Sequence, residues 1–426
     1  MAGLRKSQRV SVLAALAVVG ATALTGCAES GGSTSSGGDG VDAGATLEEY
    51  QKAFEDVDPI ELRTQSPAPK GSVTGANVEA YLNAITEWSD GKVTFDVAYS
   101  NGVAEPGETD KALVDGRLDI AQVLPIYNPS EYPANNMLIE AGFISNHSPV
   151  AGVLQSNAWP NEVAFNTPEI MAEYDDHGMV PLVPIYNSGS NALFCSDKRT
   201  GLKDIKGITA ASGGTAQSHQ IEALGGEATS VPYPELFESL QRGVVDCTIS
   251  SPTVGVLGGF IEEAPQVVLD EEAGFALAPG GMAFSKTTWD TLPLVVQQLF
   301  WDRLDVFIET NLTGKIWPNT VDAVTKAKAS GGGFFSFDDD ARSALQGANE
   351  ELLSGLGEKD AIEDAPAFVE DMQTAADSWL AAVGEVGIDD EVGFNDFDTW
   401  YDEGKIDVSA FIDKLMADVF EPHRPS

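Results

Sequence analysis

The sequence predicts an α/β protein of two similar lobes with parallel-type sheets, followed by a helical C-terminal region. Three observations support this fold class. Strand and helix periodicities alternate from Ile60 onward, the pattern L-x-x-G-x-x-D occurs twice between a helix and a strand, and helical periodicity dominates after Met282. The chain of 426 residues is long enough for two or three domains with sizeable cores.

The first lobe begins with alternating strands and helices. Apolar residues recur at strand spacing over Ile60–Thr64 and Val93–Tyr99, and at helical spacing over Val78–Trp88 between them. A second helix is predicted over Glu108–Val114 and another apolar strand over Ile120–Leu124. This order of elements favours a mainly parallel sheet covered by helices.

The repeated pattern indicates a second lobe of the same kind. It occupies Leu113–Asp119 and Leu240–Asp246, in each case directly before an apolar strand, Ile120–Val123 or Cys247–Ser250. Its glycine can end the helix in a left-handed conformation, and the residues after it turn the chain into the strand. Two copies favour two similar lobes, and a small ligand would bind in the cleft between them, at the carboxyl ends of the strands.

The C-terminal part is predicted to be mostly helical. One helix begins within Trp289–Pro293 and continues to about Phe307 with a wide apolar face, and further helices begin at about Asp339 and Pro366. The acidic run Asp338–Asp340 has neither the spacing nor the glycine of an EF-hand loop. We therefore interpret it as a favourably charged helix N-terminus.

The N-terminus is typical of a signal peptide. Arg5, Lys6 and Arg9 precede the uncharged stretch Val10–Leu24, and Leu24–Cys27 resembles a bacterial lipobox, in which the cysteine is lipidated and becomes the mature N-terminus. The alternative is a transmembrane anchor, but the apolar run is shorter than the roughly 20 residues that a bilayer core requires. We expect Cys27 to anchor the protein to the outer face of the cytoplasmic membrane.

The residues after Cys27 are rich in Gly and Ser and predict a flexible tether, with the globular part starting at about Thr46. No later stretch is apolar for long enough to span a membrane. The formal net charge of −42 argues against nucleic-acid partners and against charge-driven binding to anionic lipid headgroups, and fits a protein adapted to a salty medium.

Besides Cys27, the chain has two cysteines, Cys195 and Cys247. In an oxidising compartment they could form one disulfide, and the alternative is two buried thiols. No metal site is expected because the histidines have no ligand-like spacing. They are His147, His177, His219 and His423.

Five segments, in order, resemble the DctP-type periplasmic binding proteins of TRAP (tripartite ATP-independent) transporters. Leu202–Ile208 is similar to the family's D-L-K-G-L, and Phe284–Pro293 to its N-K-x-x-W-x-x-L-P. The others are Glu222–Gly226, Pro232–Phe237 and Leu240–Asp246, and weaker similarities extend the match over about residues 59–329.

The resemblance implies a periplasmic-binding-protein-like fold, with two lobes joined by hinge strands and a long helix spanning both. Such a protein closes on a small organic ligand and docks onto a pair of membrane permease subunits, with no catalytic step and no cofactor. The implied division is 1–26 signal peptide, 27–45 lipidated tether, 46–185 first lobe, 186–279 second lobe, 280–346 return strand to the first lobe and long connecting helices, and 347–426 helical C-terminal extension without a functional assignment.

Three other functions are weighed against this one. An enzyme on the same scaffold is disfavoured because G-x-S-x-G, H-E-x-x-H and P-loop motifs are missing from the sequence. The glycine-rich run Ala211–Thr215 could cradle an anion but lacks the P-loop lysine. A binding protein for an ABC transporter would share the lobes, and a ligand-binding partner of a sensor kinase also remains open.

The resemblance also predicts the character of the ligand. Family members that bind carboxylates carry an Arg shortly after D-L-K-G-L, where this chain has Ala211, and some carry another in the region of Asn187–Asn191, where this chain has none. We therefore expect a ligand that is uncharged or cationic, or whose acid is held by other groups. Candidate contacts lie in loops and at strand ends: Gln65, Ser66, Tyr127, Asn187, Asn191, Ala211, Tyr233, Ser250 and Ser251.

Overall fold

A computed structural model describes residues 39–388 and 392–426 of the chain. Its strands form three hydrogen-bonded sheets, of two and three strands in the first lobe and of six strands in the second. They are β1 Ile60–Ser66, β2 Val93–Tyr99, β3 Ile120–Val123, β4 Met179–Tyr186, β5 Ala192–Cys195, β6 Thr209–Ser212, β7 Glu227–Ser230, β8 Cys247–Ser250, β9 Gln266–Val268, β10 Gly280–Ser285 and β11 Gly333–Phe335.

The helices cover the sheets and fill most of the C-terminal part. They are α1 Leu47–Ala53, α2 Ala76–Trp88, α3 Thr109–Val114, α4 Pro133–Glu140, α5 Ala151–Ser156, α6 Trp159–Asn166, α7 Pro168–Asp176, α8 Leu202–Ile205, α9 Thr215–Ala223, α10 Leu236–Gln241, α11 Pro252–Gly258, α12 Lys286–Trp289, α13 Leu294–Asp302, α14 Leu304–Thr310, α15 Trp317–Ala329, α16 Asp339–Leu356, α17 Ala365–Glu385, α18 Phe397–Trp400 and α19 Ser409–Leu415.

The first lobe contains the predicted parallel pair and a later strand that returns to it. β1 and β2 pair in parallel, and the Asp119 backbone N–H donates to the Arg63 carbonyl, which places β3 beside β1. β10 then lies between β3 and β4 and is antiparallel to both. The three-stranded sheet is therefore antiparallel, and the parallel pair lies beside it.

The second lobe has a six-stranded sheet in the order β11-β9-β5-β8-β6-β7. β6 is parallel to β7 and β8, as the repeated pattern predicts, whereas β5 is antiparallel to β8 and β9. The prediction of parallel-type sheets thus describes only part of this lobe. The chain enters the lobe along β5 directly from the other sheet, and this entry fixes the opposite strand direction.

A long helical run connects the lobes. It starts with α14, passes through the π-helical segment Asn311–Ile316 and continues as α15. α14 packs against α2 in the first lobe, and α15 packs against α11 and β11 in the second. Two further connections between the lobes are the segments 187–191 and 269–279.

The helix predicted from Trp289 to about Phe307 is instead divided into α12, α13 and α14. Pro293 precedes α13 and cannot continue the helix hydrogen bonding. Arg303 breaks the run again, and its guanidinium lies 3.7 Å from the centre of the Trp88 ring. The apolar face that the periodicity predicts is nevertheless buried, including Val295, Leu299 and Phe307.

The predicted tether contains residues that belong to the folded body. The Val41 backbone N–H donates to Gln298 Oε1 at 2.7 Å, and Val41 and Ala45 pack against the core of the first lobe. Leu47–Ala53 then forms a helix that begins with a capping box between Thr46 and Glu49. Cys27 and the predicted signal peptide lie outside the described residues. No helix in the described part of the chain is long and apolar enough to cross a bilayer.

The C-terminal helices contact both lobes. α16 packs against α9 of the second lobe, and α17 packs against α5 and α6 of the first. α18 lies on α15, and the chain then returns to the first lobe through α19, which packs against α14. This C-terminal region therefore forms a continuous cover over the junction of the lobes.

Candidate functional site

A cavity lies between the lobes, where the carboxyl ends of β3, β6 and β8 converge. The volume of this cavity that the centre of a water molecule can occupy is about 100 Å³. Most of its wall is apolar or aromatic, and the polar part is formed mainly by hydroxyl and amide groups. The lining residues are Pro67, Thr74, Gln122, Leu124, Ile126, Tyr127, Tyr186, Ser188, Gly189, Asn191, Ser212, Gly213, Val231, Tyr233, Leu236, Thr248, Ile249, Ser250, Ser251, Thr253, Val254, Leu257, Ala278, Gly280 and Lys315.

Hydrogen bonds between the lobes close the cavity. Asn101 Nδ2 of the first lobe donates to the Tyr233 hydroxyl of the second at 2.7 Å, and the Tyr233 backbone N–H donates to the Tyr127 hydroxyl at 3.4 Å. Beside the cavity, the Thr215 hydroxyl donates to Glu140, which also forms an ion pair with Lys359. The structure is thus a closed form.

Five of the residues predicted to contact ligand line the cavity. Tyr127 and Ser250 lie at or just beyond the ends of β3 and β8, the two strands that follow the repeated pattern. Ser251 lines the wall and also caps α11, because its hydroxyl accepts from the Val254 N–H at 3.2 Å. Asn191 is held by a bond from its Nδ2 to the Ala276 carbonyl at 2.9 Å, and Tyr233 completes the group.

Gln65 and Ser66 do not line the cavity. β1 continues through Ser66, two residues beyond the predicted end, and the following residue, Pro67, reaches the wall instead. Gln65 is buried, and its amide bonds the backbone of Ala104 in both directions, at 2.9 and 3.0 Å. The Ser66 hydroxyl accepts from the Ala68 backbone N–H at 3.2 Å, so both side chains stabilise neighbouring loops.

Asn187 and Ala211 do not line the cavity either. The Asn187 side chain donates to the Ser156 carbonyl at 2.6 Å and fixes the segment whose next residues, Ser188 and Gly189, do line it. Ala211 is fully buried within β6 and packs into the core of the second lobe. The wall is formed instead by Ser212, because consecutive strand residues face opposite sides.

The sequence analysis missed Lys315. It lies in the π-helical segment of the long helix, lines the cavity and is only 3% exposed. Its Nζ is 5.2 Å from the centre of the Tyr186 ring, and no carboxylate oxygen of the described residues lies within 4.0 Å of it. Burial lowers the pKa of this lysine to about 8.

A signal for Lys315 is present in the sequence. Leu304, Ile308, Leu312 and Lys315 recur at the spacing of one helix face, and the three apolar residues are buried. A lysine in line with a buried apolar stripe either extends its ammonium group to solvent or lies in a cavity. The spacing alone does not distinguish these two cases.

Two other polar groups of the wall have no hydrogen-bond partner among residues 39–388 and 392–426. They are Gln122 Nε2 and Thr253 Oγ1, both buried atoms. Neither residue was among the sequence candidates, because Gln122 lies inside a predicted strand and Thr253 inside a helix. The three tyrosines of the wall stay neutral, since burial raises the pKa of Tyr127 to about 12 and raises those of Tyr186 and Tyr233 as well.

A match between this sequence and a family model identifies the family of the chain. A family model described as bacterial extracellular solute-binding protein, family 7 (DctP) matches residues 65–360. The chain belongs to family 7. This membership confirms the resemblance to TRAP solute-binding proteins and with it the two-lobed α/β fold class. Family 7 is a family of substrate-binding transport proteins, not of enzymes.

Solved structures of TRAP and sugar acid binding proteins share the fold. A marine metagenome TRAP solute-binding protein specific for aromatic acids, in complex with 3-hydroxybenzoate, is 15% identical with a TM-score of 0.64, and the match covers 76% of this chain and 99% of that one. The galactonate complex of the sugar acid binding protein from Advenella mimigardefordensis is 18% identical with a TM-score of 0.63, covering 76% and 100%. A Chromohalobacter salexigens protein with bound D-glucuronate is 19% identical with a TM-score of 0.62, covering 74% and 99%.

The match to the family 7 model ends at residue 360, before the start of α17. Nearly the full length of each relative is covered, whereas part of this chain is not. Helices α17–α19 therefore lie beyond the part of the chain that matches the family model.

Cys195 and Cys247 face each other on β5 and β8, with Cα atoms 4.2 Å apart, and are joined by a disulfide in the structure. Within residues 39–388 and 392–426, no group of three or more His, Cys, Asp or Glu side chains is arranged to hold a metal ion.

Proposed function

We propose that this family 7 protein captures a small organic molecule in the cleft between its lobes and delivers it to the membrane subunits of a TRAP transporter. The observation that carries the proposal is the cavity closed by Asn101, Tyr127 and Tyr233, which encloses a space suited to a small ligand. The relatives described above were crystallised with small organic acids, which supports a ligand of similar size.

A thermal-shift screen tests ligand capture. Its panel should span aromatic acids, dicarboxylates, sugar acids, polyols and amines, and at 100 times its Kd a ligand stabilises the folded state by about 2.7 kcal/mol. Ser250→Trp should abolish the shift, because the indole would fill the cavity. Ser330→Trp, at an exposed position in the turn after α15, is the matched control. The proposal fails if no compound shifts the melting temperature, or if the shift survives Ser250→Trp in a folded variant.

The permease partner is tested by the neighbouring genes. A small and a large multi-span permease without an ATPase would support a TRAP transporter. An adjacent transport ATPase would instead support the ABC alternative.

We further propose that Cys27 carries a lipid that holds the protein at the outer face of the cytoplasmic membrane. Leu24–Cys27 supports this proposal through its lipobox-like sequence. Cys27→Ser should release the protein from the membrane fraction. A variant that stays membrane-bound and uncleaved would indicate an anchor helix.

A further inference from the structure

Lys315 is a buried cation in the cleft and forms no ion pair with a carboxylate of the described residues. Among the described residues that line the cavity, it is the only one with a charged side chain. Burying an ammonium group without an opposite charge is costly, and proteins usually pair such a group or leave it in water. Here the surrounding wall supplies only an aromatic ring, that of Tyr186, at 5.2 Å.

The other unpaired polar atoms of the wall favour the same kind of ligand group. Gln122 Nε2 is an N–H donor, and the Thr253 hydroxyl can donate as well. Together with Lys315 they give the cavity an amide donor, a hydroxyl and an ammonium group, none of which has an acceptor in the part of the chain that the structure describes. A carboxylate accepts several hydrogen bonds and carries the charge that Lys315 lacks.

The rest of the wall restricts what can be attached to that carboxylate. Leu124, Ile126, Leu236, Val254 and Leu257 surround the space with aliphatic surface. A second carboxylate would have no cation to pair with, and those hydroxyl groups of a sugar acid that face this aliphatic surface would lose hydrogen bonds to water. An aliphatic or aromatic body would instead gain from being buried there.

We propose that Lys315 binds the carboxylate of an apolar monocarboxylate, and so replaces the arginine that this chain lacks at Ala211. The inference rests on the proposed function and assigns the ligand class of the same cleft. Of the three ligand types that the sequence left open, it selects an acid held by another group. A cationic ligand is disfavoured by the charge of Lys315 itself.

Calorimetric titration with matched probes tests the assignment. 3-Hydroxybenzoate and 4-methylpentanoate represent aromatic and aliphatic monocarboxylates. 3-Hydroxybenzamide is the uncharged counterpart, and succinate and D-glucuronate are the competing acid classes. We expect the wild-type protein to bind at least one of the two monocarboxylates. It should bind the amide, succinate and D-glucuronate at least about 30-fold more weakly, because each of them either loses the buried ion pair or buries an unpaired polar group.

Variants then assign this preference to one residue. Lys315→Met should weaken monocarboxylate binding by about 30-fold or more, whereas Lys315→Arg should retain most of it. Lys326→Met is the control, because Lys326 lies on the same helical run but is half-exposed and pairs with Asp322. Circular dichroism and the melting temperature without ligand show whether each variant is folded.

The outcomes separate the inference from the function on which it rests. Equal binding of a monocarboxylate to the wild-type and to folded Lys315→Met protein overturns the role of Lys315. Tighter binding of the amide, of succinate or of D-glucuronate overturns the ligand class, while the cleft remains a binding site. If no compound of any class in the screen binds the wild-type protein, the proposed function fails and the inference with it.

Discussion

At the scale of single residues, Lys315 should make the affinity of the cleft for a monocarboxylate depend on pH. The other titratable groups that face the cavity are Tyr127, Tyr186 and Tyr233, whose raised pKa values keep them neutral. Only the protonated lysine attracts a carboxylate, and the pKa of Lys315 in the ligand-free protein is about 8. Affinity for a monocarboxylate should therefore be constant below pH 7 and fall about tenfold per pH unit above pH 8.

Calorimetry between pH 6 and pH 9.5 measures this dependence. Lys315→Arg is the control, because a guanidinium stays protonated over that range and should make the profile flat. An equally flat profile in the wild-type protein would contradict the prediction.

The same lysine should reduce the stability of the empty protein. Burial lowers the pKa of Lys315 from 10.5 to about 8, a shift that corresponds to about 3 kcal/mol. Because the folded pKa is the lower one, the full cost applies below pH 8, decreases between pH 8 and pH 10.5, and disappears above it. Lys315→Met should therefore raise the free energy of unfolding by about 1 to 3 kcal/mol at pH 7, and by less at pH 9.5.

Urea denaturation without ligand measures both values. Lys326→Met should show no such gain, since Lys326 is half-exposed and already paired with Asp322. A loss of stability in Lys315→Met at pH 7 would show that the ammonium group has a stabilising partner.

At this scale, the sequence predicted the residues whose positions depend on local pattern. Tyr127 and Ser250 follow strands that the repeated pattern marks, so their place at the cleft could be inferred. Gln65 was misplaced because its strand runs two residues further than the alternation indicated. Lys315 was missed because its position in the cavity wall depends on tertiary contacts. Tyr186 and the second lobe, which form the wall around it, are distant from it in the sequence.

At the scale of elements, the disulfide joins two neighbouring strands of the second lobe. We predict that mass spectrometry of the unreduced protein finds no alkylatable thiol at Cys195 or Cys247. The two residues are 52 positions apart, and a cross-link over a loop of about that length restricts the unfolded chain by about 4 kcal/mol. The double variant Cys195→Ala/Cys247→Ala should lower the free energy of unfolding by about 2 to 4 kcal/mol.

The reduced wild-type protein is the matching control, since it keeps both side chains. Two free thiols in the untreated protein, or equal stability of the oxidised and reduced forms, would contradict this prediction.

Elements that depend on local periodicity were predicted well. Alternation gave the bounds of β2, Val93–Tyr99, and helical spacing located α2. The directions of β5 and β9 were not predictable, because they follow from how the chain crosses between lobes. The division of the run from Trp289 to Phe307 depends in part on Arg303, whose contact with Trp88 is a tertiary interaction.

At the scale of the whole molecule, charge is the dominant property. A net charge of −42 on 426 residues means that repulsion opposes the compact state. Added salt screens exposed charges, with a Debye length that falls from about 30 Å at 0.01 M to about 3 Å at 1 M. The melting temperature should therefore rise by several degrees as NaCl is increased over this range.

Scanning calorimetry measures the melting temperature in NaCl and in sucrose at equal osmolality. Sucrose is the control because it is excluded from the protein surface but does not screen charges. A melting temperature that is independent of NaCl, or that rises equally in sucrose, would contradict a role for charge repulsion.

The overall division into lobes could be inferred from two copies of one short pattern, because each copy marks a helix-to-strand turn of the same kind. The arrangement of the C-terminal helices could not. Their amphipathic spacing predicts that they are helices with a buried face, but which lobe covers that face depends on the assembled surface.

That arrangement affects how long a ligand stays bound. Asn349 of α16 accepts from Gln220 of the second lobe, whereas the α17 backbone at Ala376 accepts from Gln155 of the first. One continuous segment is thus fastened to both lobes, and the lobes cannot separate widely unless it detaches from one of them. For a ligand bound as proposed, escape should therefore be coupled to a local unfolding step, and the dissociation rate should include the barrier of that step. We expect residence time in the cleft to depend in part on residues that never touch the ligand.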